Sequence, residues 1–209
     1  VSCDTPKDME VAAALEPYRN KLKKKYGTKL CTLDEDLKRN RRSETILGHS
    51  VAEQLLKYTK ADFAFVNSGG IRSGLAKGEV TRADMVAMLP FPNTAVILSM
   101  PGGELKKAVS WGMRPDSKDL LQIAGGNIFT CNGRLVGMEI GGVPVKDNAH
   151  YKVATLNYLA LGGSGYKMLT PYIKKDTKRM IRKIVEDSFK ANESCPVENK
   201  IHYIERCAQ

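Results

Sequence analysis

The stretch Asp62-Phe-Ala-Phe-Val-Asn-Ser-Gly-Gly-Ile-Arg-Ser-Gly74 joins an apolar run directly to a glycine-rich segment. The apolar run predicts a short buried strand from Asp62 to Val66, and the glycines predict a sharp backbone turn where this strand ends. A turn alone needs one or two glycines, yet three occur here together with Asn67 and Arg72. Two interpretations are open at this point: a tight loop with an exposed arginine, or a loop that lets a ligand approach the backbone closely.

Helical patterns precede this strand. Apolar residues three and four positions apart predict an amphipathic helix from Met9 to Tyr26, with Gly27 as its C-terminal cap. Ser43 is expected to cap a second helix, whose apolar positions extend to Leu56.

Strand-like segments dominate the part of the chain that follows the glycine-rich turn. Thr81 and Asp84 have the spacing of a capping box for a short helix, and Thr94–Met100 is a β-branched run typical of a buried strand. A helix is expected at about 103–112, short strands beyond residue 120, a last helix at about 174–190, and an irregular tail after it. The sequence therefore predicts an α/β to α+β fold, a single mixed domain with early helices and a β-rich second half.

Composition is consistent with one globular domain. The chain has 209 residues, of which 42% are hydrophobic, enough to form a substantial core. No apolar run approaches the roughly 18 residues that cross a bilayer, so no membrane span is expected. The first residues have neither an initiator Met nor the apolar core of a signal peptide, which suggests that the chain was processed or cut from a longer one.

The charge balance favours anionic ligands in general. Lysine and arginine number 33 against 23 aspartates and glutamates, which attracts nucleic acid, anionic membranes or phosphorylated small molecules alike. Much of the excess lies at 20–25 and 174–183, within patterns interpreted as solvated helix faces. Aromatic residues do not alternate with these basic residues and no zinc-finger spacing occurs, so specific nucleic-acid binding is not expected.

Five cysteines are present, and none forms a C-x-x-C pair. Cys3 with Cys31 and Cys195 with Cys207 could each close a terminal segment, leaving Cys131 as a buried odd thiol. That pairing would indicate an oxidising compartment. Five reduced cysteines remain the alternative.

Several common catalytic motifs are absent from the sequence. Gly162-Gly-Ser-Gly-Tyr166 lacks the second glycine of a nucleophile elbow, and neither a Walker A loop nor G-x-G-x-x-G occurs. The three histidines, at 49, 150 and 202, do not have the spacing of a zinc protease. A self-contained metal hydrolase is therefore not predicted.

Five motifs, in order along the chain, resemble the C-terminal domain of the 5′-nucleotidase family, which includes UDP-sugar hydrolases. They are Arg41-Arg-Ser-Glu-Thr-Ile-Leu-Gly48, Asn67-Ser-Gly-Gly-Ile-Arg72, Leu89-Pro-Phe-Pro-Asn-Thr94, Leu121-Gln-Ile-Ala-Gly125 and Thr155-Leu-Asn-Tyr-Leu-Ala-Leu-Gly-Gly-Ser-Gly-Tyr166. The resemblance extends from about Met9 to Lys190.

This resemblance implies the substrate-binding half of a two-domain phosphohydrolase. Its partner would be an N-terminal metallophosphatase domain of the same polypeptide carrying a divalent metal pair, and no cofactor is expected in this chain. Residues 1–27 would be an interdomain linker helix, 28–190 the nucleotide-binding domain, and 191–209 a cysteine-containing tail. The resemblance also implies a periplasmic or extracellular location.

The resemblance assigns roles to individual residues. Phe91 and Tyr158 match two aromatic rings that hold the nucleobase between them. Arg41 and Arg72 match residues that contact phosphate or ribose, with Asn67 supporting the same site. An arginine that follows a glycine-rich turn can also present its guanidinium group to a phosphate on physical grounds.

Three further positions match the family's site with some departures. Asn93 matches a residue that hydrogen-bonds the base edge, and Gly125 one where the backbone approaches the base. Ser164 replaces an aspartate that accepts hydrogen bonds from the ribose hydroxyls, which predicts weaker ribose binding or a different sugar. Ile46 stands where the family often has asparagine.

The sequence thus predicts a domain that binds a nucleotide substrate but hardly hydrolyses it alone. The alternative is a non-enzymatic secreted module that engages a polyanion or a partner through its basic surface. The two hypotheses differ in salt dependence, because polyanion binding weakens steeply with salt whereas stacking persists.

Overall fold

Helices and strands alternate through residues 8–207, the part of the chain that the computed structural model describes. The helices are α1 Met9–Tyr26, α2 Ile46–Thr59, α3 Arg82–Met88, α4 Gly102–Gly112, α5 Asn157–Ala160 and α6 Ile181–Lys190. The strands are β1 Lys29–Leu33, β2 Phe63–Asn67, β3 Gly78–Thr81, β4 Thr94–Pro101, β5 Leu121–Ala124, β6 Gly126–Cys131, β7 Arg134–Ile140, β8 Val143–Pro144, β9 His150–Leu156, β10 Ile173–Met180 and β11 Tyr203–Glu205. The predicted mixed α/β domain is confirmed.

A five-stranded sheet in the order β10-β4-β9-β2-β5 lies at the centre of the domain. β2 is parallel to β9, and the other neighbouring pairs are antiparallel. All five residues of β2 are buried, as the apolar run predicts, and α2 packs against β2 and β5. The ring of Tyr166 lies 6.5 Å from that of Phe65. Removal of this apolar surface from water on both sides of β2 is a main source of the domain's stability.

A second sheet, in the order β11-β6-β7-β8, contains much of the β-rich second half. β6 and β7 form a hairpin through Asn132 and Gly133, whose positive φ values of 48° and 71° suit a tight hairpin turn. β11 is parallel to β6, with Tyr203 opposite Ile128. The tail predicted to be irregular therefore includes a strand.

The first helix and the capping box have the predicted positions. α1 spans Met9–Tyr26, and the Gly27 N–H donates to the Lys23 carbonyl. None of the α1 residues is buried, so its apolar stripe faces solvent for most of its length. The Thr81 N–H donates to the Asp84 carboxylate at 2.7 Å, as expected for a capping box. Within residues 8–207, no helix has the length and apolar character needed to cross a membrane.

The cap of α2 differs from the prediction. Thr45, not Ser43, caps the helix, because the Thr45 hydroxyl accepts a hydrogen bond from the Gly48 N–H at 2.9 Å. The Ser43 carbonyl instead accepts from the Gln122 side chain at 3.0 Å. The neighbouring threonine offers the same chemistry at the position where the backbone becomes helical.

The helix predicted at 174–190 is wrong in its first half. Ile173–Met180 forms β10, an edge strand antiparallel to β4, so the basic residues 174–179 do not lie on a helix. Helical spacing of buried apolar residues begins only with Ile181 and continues through Ile184, Val185 and Phe189. The segment before it lacks such a stripe and is held by pairing with β4, which overrides its local helical preference.

The cysteines pair differently from the prediction. Cys31 is bonded to Cys195, and Cys131 to Cys207. Cys131 is therefore not an odd thiol, and Cys3 lies outside the described residues. The observed pairs join segments 164 and 76 residues apart, because β1 and β6 lie beside the tail in the fold although they are distant in sequence.

A buried polar cluster attaches the tail to α2. The rings of His49 and His202 stack with centroids 4.3 Å apart, and His202 Nδ1 lies 2.7 Å from a Glu44 oxygen. His49 Nδ1 donates to the Ile123 carbonyl, while its Nε2 is buried without a hydrogen-bond partner among residues 8–207. A proton on Nε2 would therefore place an unpaired charge in the interior.

Acidification should lower the free energy of unfolding in two stages. Burial lowers the pKa of His49 below its usual 6.5, so the folded state resists protonation and stability falls as the pH drops below that value. Burial alone would raise the pKa of Glu44, but hydrogen bonds from His202 and Tyr203 outweigh it and lower this pKa below 4.5. Stability is therefore lost again as the pH falls below 4.5.

Urea unfolding between pH 7.5 and 4 measures both stages. His49→Gln should flatten the decrease between pH 7 and 5.5, whereas the exposed-histidine control His150→Gln should leave it unchanged. Identical pH profiles for wild type and His49→Gln would contradict this assignment.

Loss of the disulfide between Cys31 and Cys195 should destabilise the domain by about 2–5 kcal/mol, because this bond restricts the unfolded chain. The double variant Cys31→Ser, Cys195→Ser would be compared with Cys131→Ser, Cys207→Ser by urea unfolding. The second pair closes 76 rather than 164 residues and should cost less. A free energy of unfolding equal to that of wild type in the first variant would refute the bond's stabilising role.

Candidate functional site

Four loops meet at one edge of the five-stranded sheet. The parallel strands β2 and β9 both end at this edge. The antiparallel register places the starts of β4 and β5 beside these ends, with Ala95 opposite Leu156 and Leu121 opposite Asn67. Residues that follow β2 and β9 therefore lie next to residues that precede β4 and β5.

These loops form a cavity of about 330 Å³, the first cavity, which brings together six of the eight residues predicted from the sequence. Its lining consists of Arg41, Asn67, Gly69, Gly70, Phe91, Asn93, Asp119, Tyr158 and Ser164. The predicted residues come from segments as distant in sequence as those of Arg41 and Ser164. The sheet topology makes them neighbours.

Two predicted residues do not line the first cavity. The Arg72 side chain is exposed, and its Nη1 lies 3.5 Å from the carbonyl of Gly69, which places it at the rim. Gly125 lies at the other end of β5, because the register pairs Leu121 with Asn67. With φ +92°, Gly125 instead allows close approach to the Asp62 carbonyl, which would lie 2.5 Å from an added Cβ. Gly125 therefore does not line the first cavity, and its expected contact with a base stays a prediction.

Two aromatic side chains of the first cavity are partly exposed. Phe91 and Tyr158 each leave 46% of their surface accessible. Arg182 Nη1 donates to the Leu89 carbonyl at 3.0 Å and so anchors the loop that carries Phe91. The Tyr158 hydroxyl lies 3.2 Å from the Ser164 hydroxyl. Both rings thus face the cavity from fixed positions instead of filling the core.

Arg41 is held in place by contacts to its backbone and side chain. Its carbonyl accepts from the Ser68 hydroxyl and the Leu120 N–H, both at 2.7 Å. Its Nε donates to Asp119 Oδ1, also at 2.7 Å. The pair uses only Nε, so the terminal nitrogens of the guanidinium group are available to an anion.

Gly69 of the quoted stretch leaves room for this ion pair. A Cβ at Gly69 would collide with the Asp119 carboxylate. A side chain at this position would therefore displace Asp119 and with it Arg41. The glycine allows the loop and the ion pair to share one wall of the cavity.

The segment 162–166 forms a tight turn at the opposite wall. Gly162 and Ser164 have positive φ values of 97° and 52°. Trp111 Nε1 donates to the Ser164 carbonyl at 3.1 Å and fixes the turn. A Cβ at Gly163 would meet the Tyr158 ring. The glycines at 163 and 165 therefore let the turn pack closely against the rings of Tyr158 and Trp111.

Sequence reasoning did not find Asp119, Trp111 or Arg182. Asp119 is 78 residues from its partner Arg41, and no local pattern connects them. Asp119 lies two residues before the strand β5, and this position gains meaning only when the strand order is known.

Only one group of three potential metal ligands occurs within residues 8–207, namely Cys131, Glu205 and Cys207. Its two sulfur atoms are bonded to each other and do not offer thiolates. In the first cavity the single carboxylate, Asp119, is paired with Arg41. The residues lining the cavity do not fit a dinuclear metal site.

The family is established by comparison with known sequences. The family model described as "5'-nucleotidase, C-terminal domain" matches residues 24–171. The chain therefore belongs to the family of 5′-nucleotidase C-terminal domains.

Individual relatives support this membership. The chain is 30% identical over 176 residues to a 5'-nucleotidase of Vibrio vulnificus (strain CMCP6), covering 81% of this chain and 32% of that protein. It is 32% identical over 169 residues to Protein UshA of Escherichia coli (strain K12), covering 78% and 30%. The chain thus spans about a third of the length of these relatives.

A solved structure has the same fold. The 5'-nucleotidase precursor from Thermus thermophilus superposes with a TM-score of 0.82 over 93% of this chain and 42% of that chain. Sequence identity is 23%, so this similarity concerns the fold.

Removal of the Asp119 charge should loosen Arg41 at small cost to stability. Asp119→Asn should lower the free energy of unfolding by about 0.5–1 kcal/mol, since the pair is partly exposed, and should speed hydrogen exchange of Arg41 Nε–H measured by NMR. The control Asp147→Asn removes a more exposed partner of Lys106 and should change neither quantity. Unaltered Arg41 Nε–H exchange in Asp119→Asn would show that the ion pair does not hold this side chain.

Proposed function

We propose that this chain is the substrate-binding domain of a 5′-nucleotidase-like phosphohydrolase. The first cavity holds a nucleobase between Phe91 and Tyr158. Arg41 and Arg72 orient the phosphate and ribose. The chain binds the nucleotide and presents its phosphate to a catalytic domain of the same polypeptide.

The observation that carries this proposal is the exposure of both aromatic rings in one polar-rimmed cavity. Core aromatic side chains such as Phe63 and Phe65 are fully buried here, whereas Phe91 and Tyr158 are each 46% exposed. Exposed apolar surface that is rimmed by polar residues in a cavity is typical of a ligand-binding site. A flat base stacked on each ring supplies such cover, with about 1–3 kcal/mol for each stacking contact.

The polar atoms of the cavity suit the rest of a nucleotide. Asn67 is 6% exposed, and its Oδ1 has no hydrogen-bond donor among residues 8–207. A ligand N–H or hydroxyl would satisfy this oxygen and remove the cost of leaving it unpaired. Asn93 lies in the same lining and can hydrogen-bond the base edge. Arg41 offers its terminal nitrogens, and Arg72 offers a second guanidinium group at the rim.

Hydrolysis is assigned to another part of the protein. The lining of the first cavity does not fit a metal pair, and we infer that an N-terminal metallophosphatase domain supplies it, as the family resemblance implies. When bound, such a pair polarises the phosphate and activates water. The role of this chain is to bind and orient the substrate. We further propose the domain division 1–27, 28–190 and 191–209 and, from the two disulfides, a periplasmic or extracellular location.

The excess of basic residues suggests a polyanion-binding function, but the ion pairs on the basic segment 174–183 argue against it. Lys178 pairs with Asp176 at 3.0 Å, Arg179 with Asp187, and Lys183 with Asp187 at 2.7 Å. These contacts neutralise part of the basic segment within the chain itself. Such surface pairs weaken the attraction of a long polyanion to this face.

Loss of both aromatic rings should weaken nucleotide binding strongly. In calorimetric titrations with 5′-AMP and adenosine, Phe91→Ala, Tyr158→Ala should weaken binding at least about 30-fold, since two stacking contacts are lost. The control Tyr58→Ala removes a ring of similar exposure, 48%, outside the cavity and should leave affinity unchanged.

Salt dependence separates the two functions. Binding by stacking should change little between low and high salt, whereas binding of a polyanion should weaken steeply. Nucleotide affinity that is insensitive to the double substitution, or absent in the folded wild-type chain, would reject the base-binding role.

A further inference from the structure

A second cavity of about 330 Å³ adjoins the first. The two share Arg41, Asn67, Asp119, Tyr158 and Ser164. The walls found only in the second cavity are mostly polar and are contributed by Trp111 near the end of α4, by residues 114–118 between α4 and β5, and by Tyr166.

Hydrogen-bond donors are concentrated in the second cavity. Tyr166 is only 3% exposed, and its hydroxyl has no partner among residues 8–207. Burial raises the pKa of Tyr166, so this hydroxyl remains a neutral donor throughout the physiological range. Lys118 is exposed in the same lining and takes part in no ion pair within the described residues.

The remaining charges make the cavity favourable to an anion. The Arg114 guanidinium group lies 3.3 Å from the Trp111 ring centroid and is held by Asp116 at 3.1 Å. The other carboxylate, Asp119, is occupied by Arg41. Both carboxylates are thus paired with arginines, whereas the Lys118 ammonium and the Tyr166 hydroxyl have no acceptor within residues 8–207. An unpaired buried donor is costly, and a phosphate oxygen would satisfy it.

We propose that the second cavity is a phosphate subsite, and that the preferred ligand is a nucleotide with an additional phosphate on the 2′- or 3′-oxygen of its ribose. This inference rests on the proposed function, which places the base on Phe91 and Tyr158. The sugar then lies beside Ser164, in the wall shared by both cavities. A hydroxyl at this position does not repel an adjacent phosphate, as a carboxylate would.

The retained phosphate is distinct from the one that is hydrolysed. A phosphate presented to a catalytic domain must project from this chain into the open. A phosphate bound by Tyr166 lies inside this domain, where the catalytic domain cannot reach it, and is therefore not hydrolysed. The second cavity therefore acts as a specificity site that selects ligands by a group that does not react.

Calorimetry with 5′-AMP, adenosine 3′,5′-bisphosphate and adenosine 2′,5′-bisphosphate tests the proposal. At least one bisphosphate should bind about tenfold or more tightly than 5′-AMP, because charge-assisted hydrogen bonds are added. Tyr166→Phe removes only the unpartnered hydroxyl, and Lys118→Ala removes the free ammonium. Each should reduce the ratio of bisphosphate to 5′-AMP affinity toward one.

The control Lys174→Ala removes an exposed charge on β10, outside the cavity, and should leave the ratio unchanged. Thermal unfolding of ligand-free Tyr166→Phe should occur at a temperature no lower than that of wild type, because the substitution removes an unpaired buried hydroxyl, and this result excludes misfolding as the cause. A ratio of one in wild type, or an equal weakening of all ligands by Tyr166→Phe, would overturn the subsite. If 5′-AMP binds through Phe91 and Tyr158 in that case, the proposed function still holds, whereas 5′-AMP binding independent of those rings rejects both.

Discussion

The register of the central sheet is the constraint on which the site depends. β2 and β9 end at the same edge, and β4 and β5 begin there. The pairing of Asn67 with Leu121 sets Asp119 beside Arg41, whose carbonyl also accepts from the Leu120 N–H. A shift of one residue would turn alternate side chains to the opposite face of the sheet. The ion pair and the cavity would then be lost together, although every local element could still form.

Elements whose signals are local could be predicted from the sequence. The spacing of apolar residues in α1 and the capping box at Thr81 are properties of a few neighbouring residues. The sequence predicts a helix where β10 forms, because the conformation of β10 comes from pairing with β4, a tertiary effect that no local pattern records. The disulfides were mispaired for the same reason: proximity in sequence suggested Cys195 with Cys207, whereas the sheet brings Cys195 to β1 and Cys207 to β6.

The residues of the candidate site also fall into two groups, those that local motifs predict and those that only the folded structure shows. Phe91 and Tyr158 were found through motifs that resemble a family, and the structure places them in one cavity. Asp119 and Tyr166 became apparent only in three dimensions, because one depends on an ion pair across 78 residues and the other on a buried hydroxyl without an acceptor among the described residues. Gly125 differs from these residues: its motif predicts contact with a base, whereas the structure places it outside the first cavity, where its positive φ allows a close approach to the chain's own backbone.

The parallel strand β11 has a consequence for the domain's behaviour in solution. β6 carries Ile128 and Phe129, and β11 covers the edge that would otherwise present their backbone groups to other molecules. An open, apolar strand edge is a template for intermolecular pairing and aggregation. The bond between Cys131 and Cys207 fastens the chain just beyond β11. Reduction of this one bond would therefore act on colloidal stability, by freeing a strand that shields the domain from self-association.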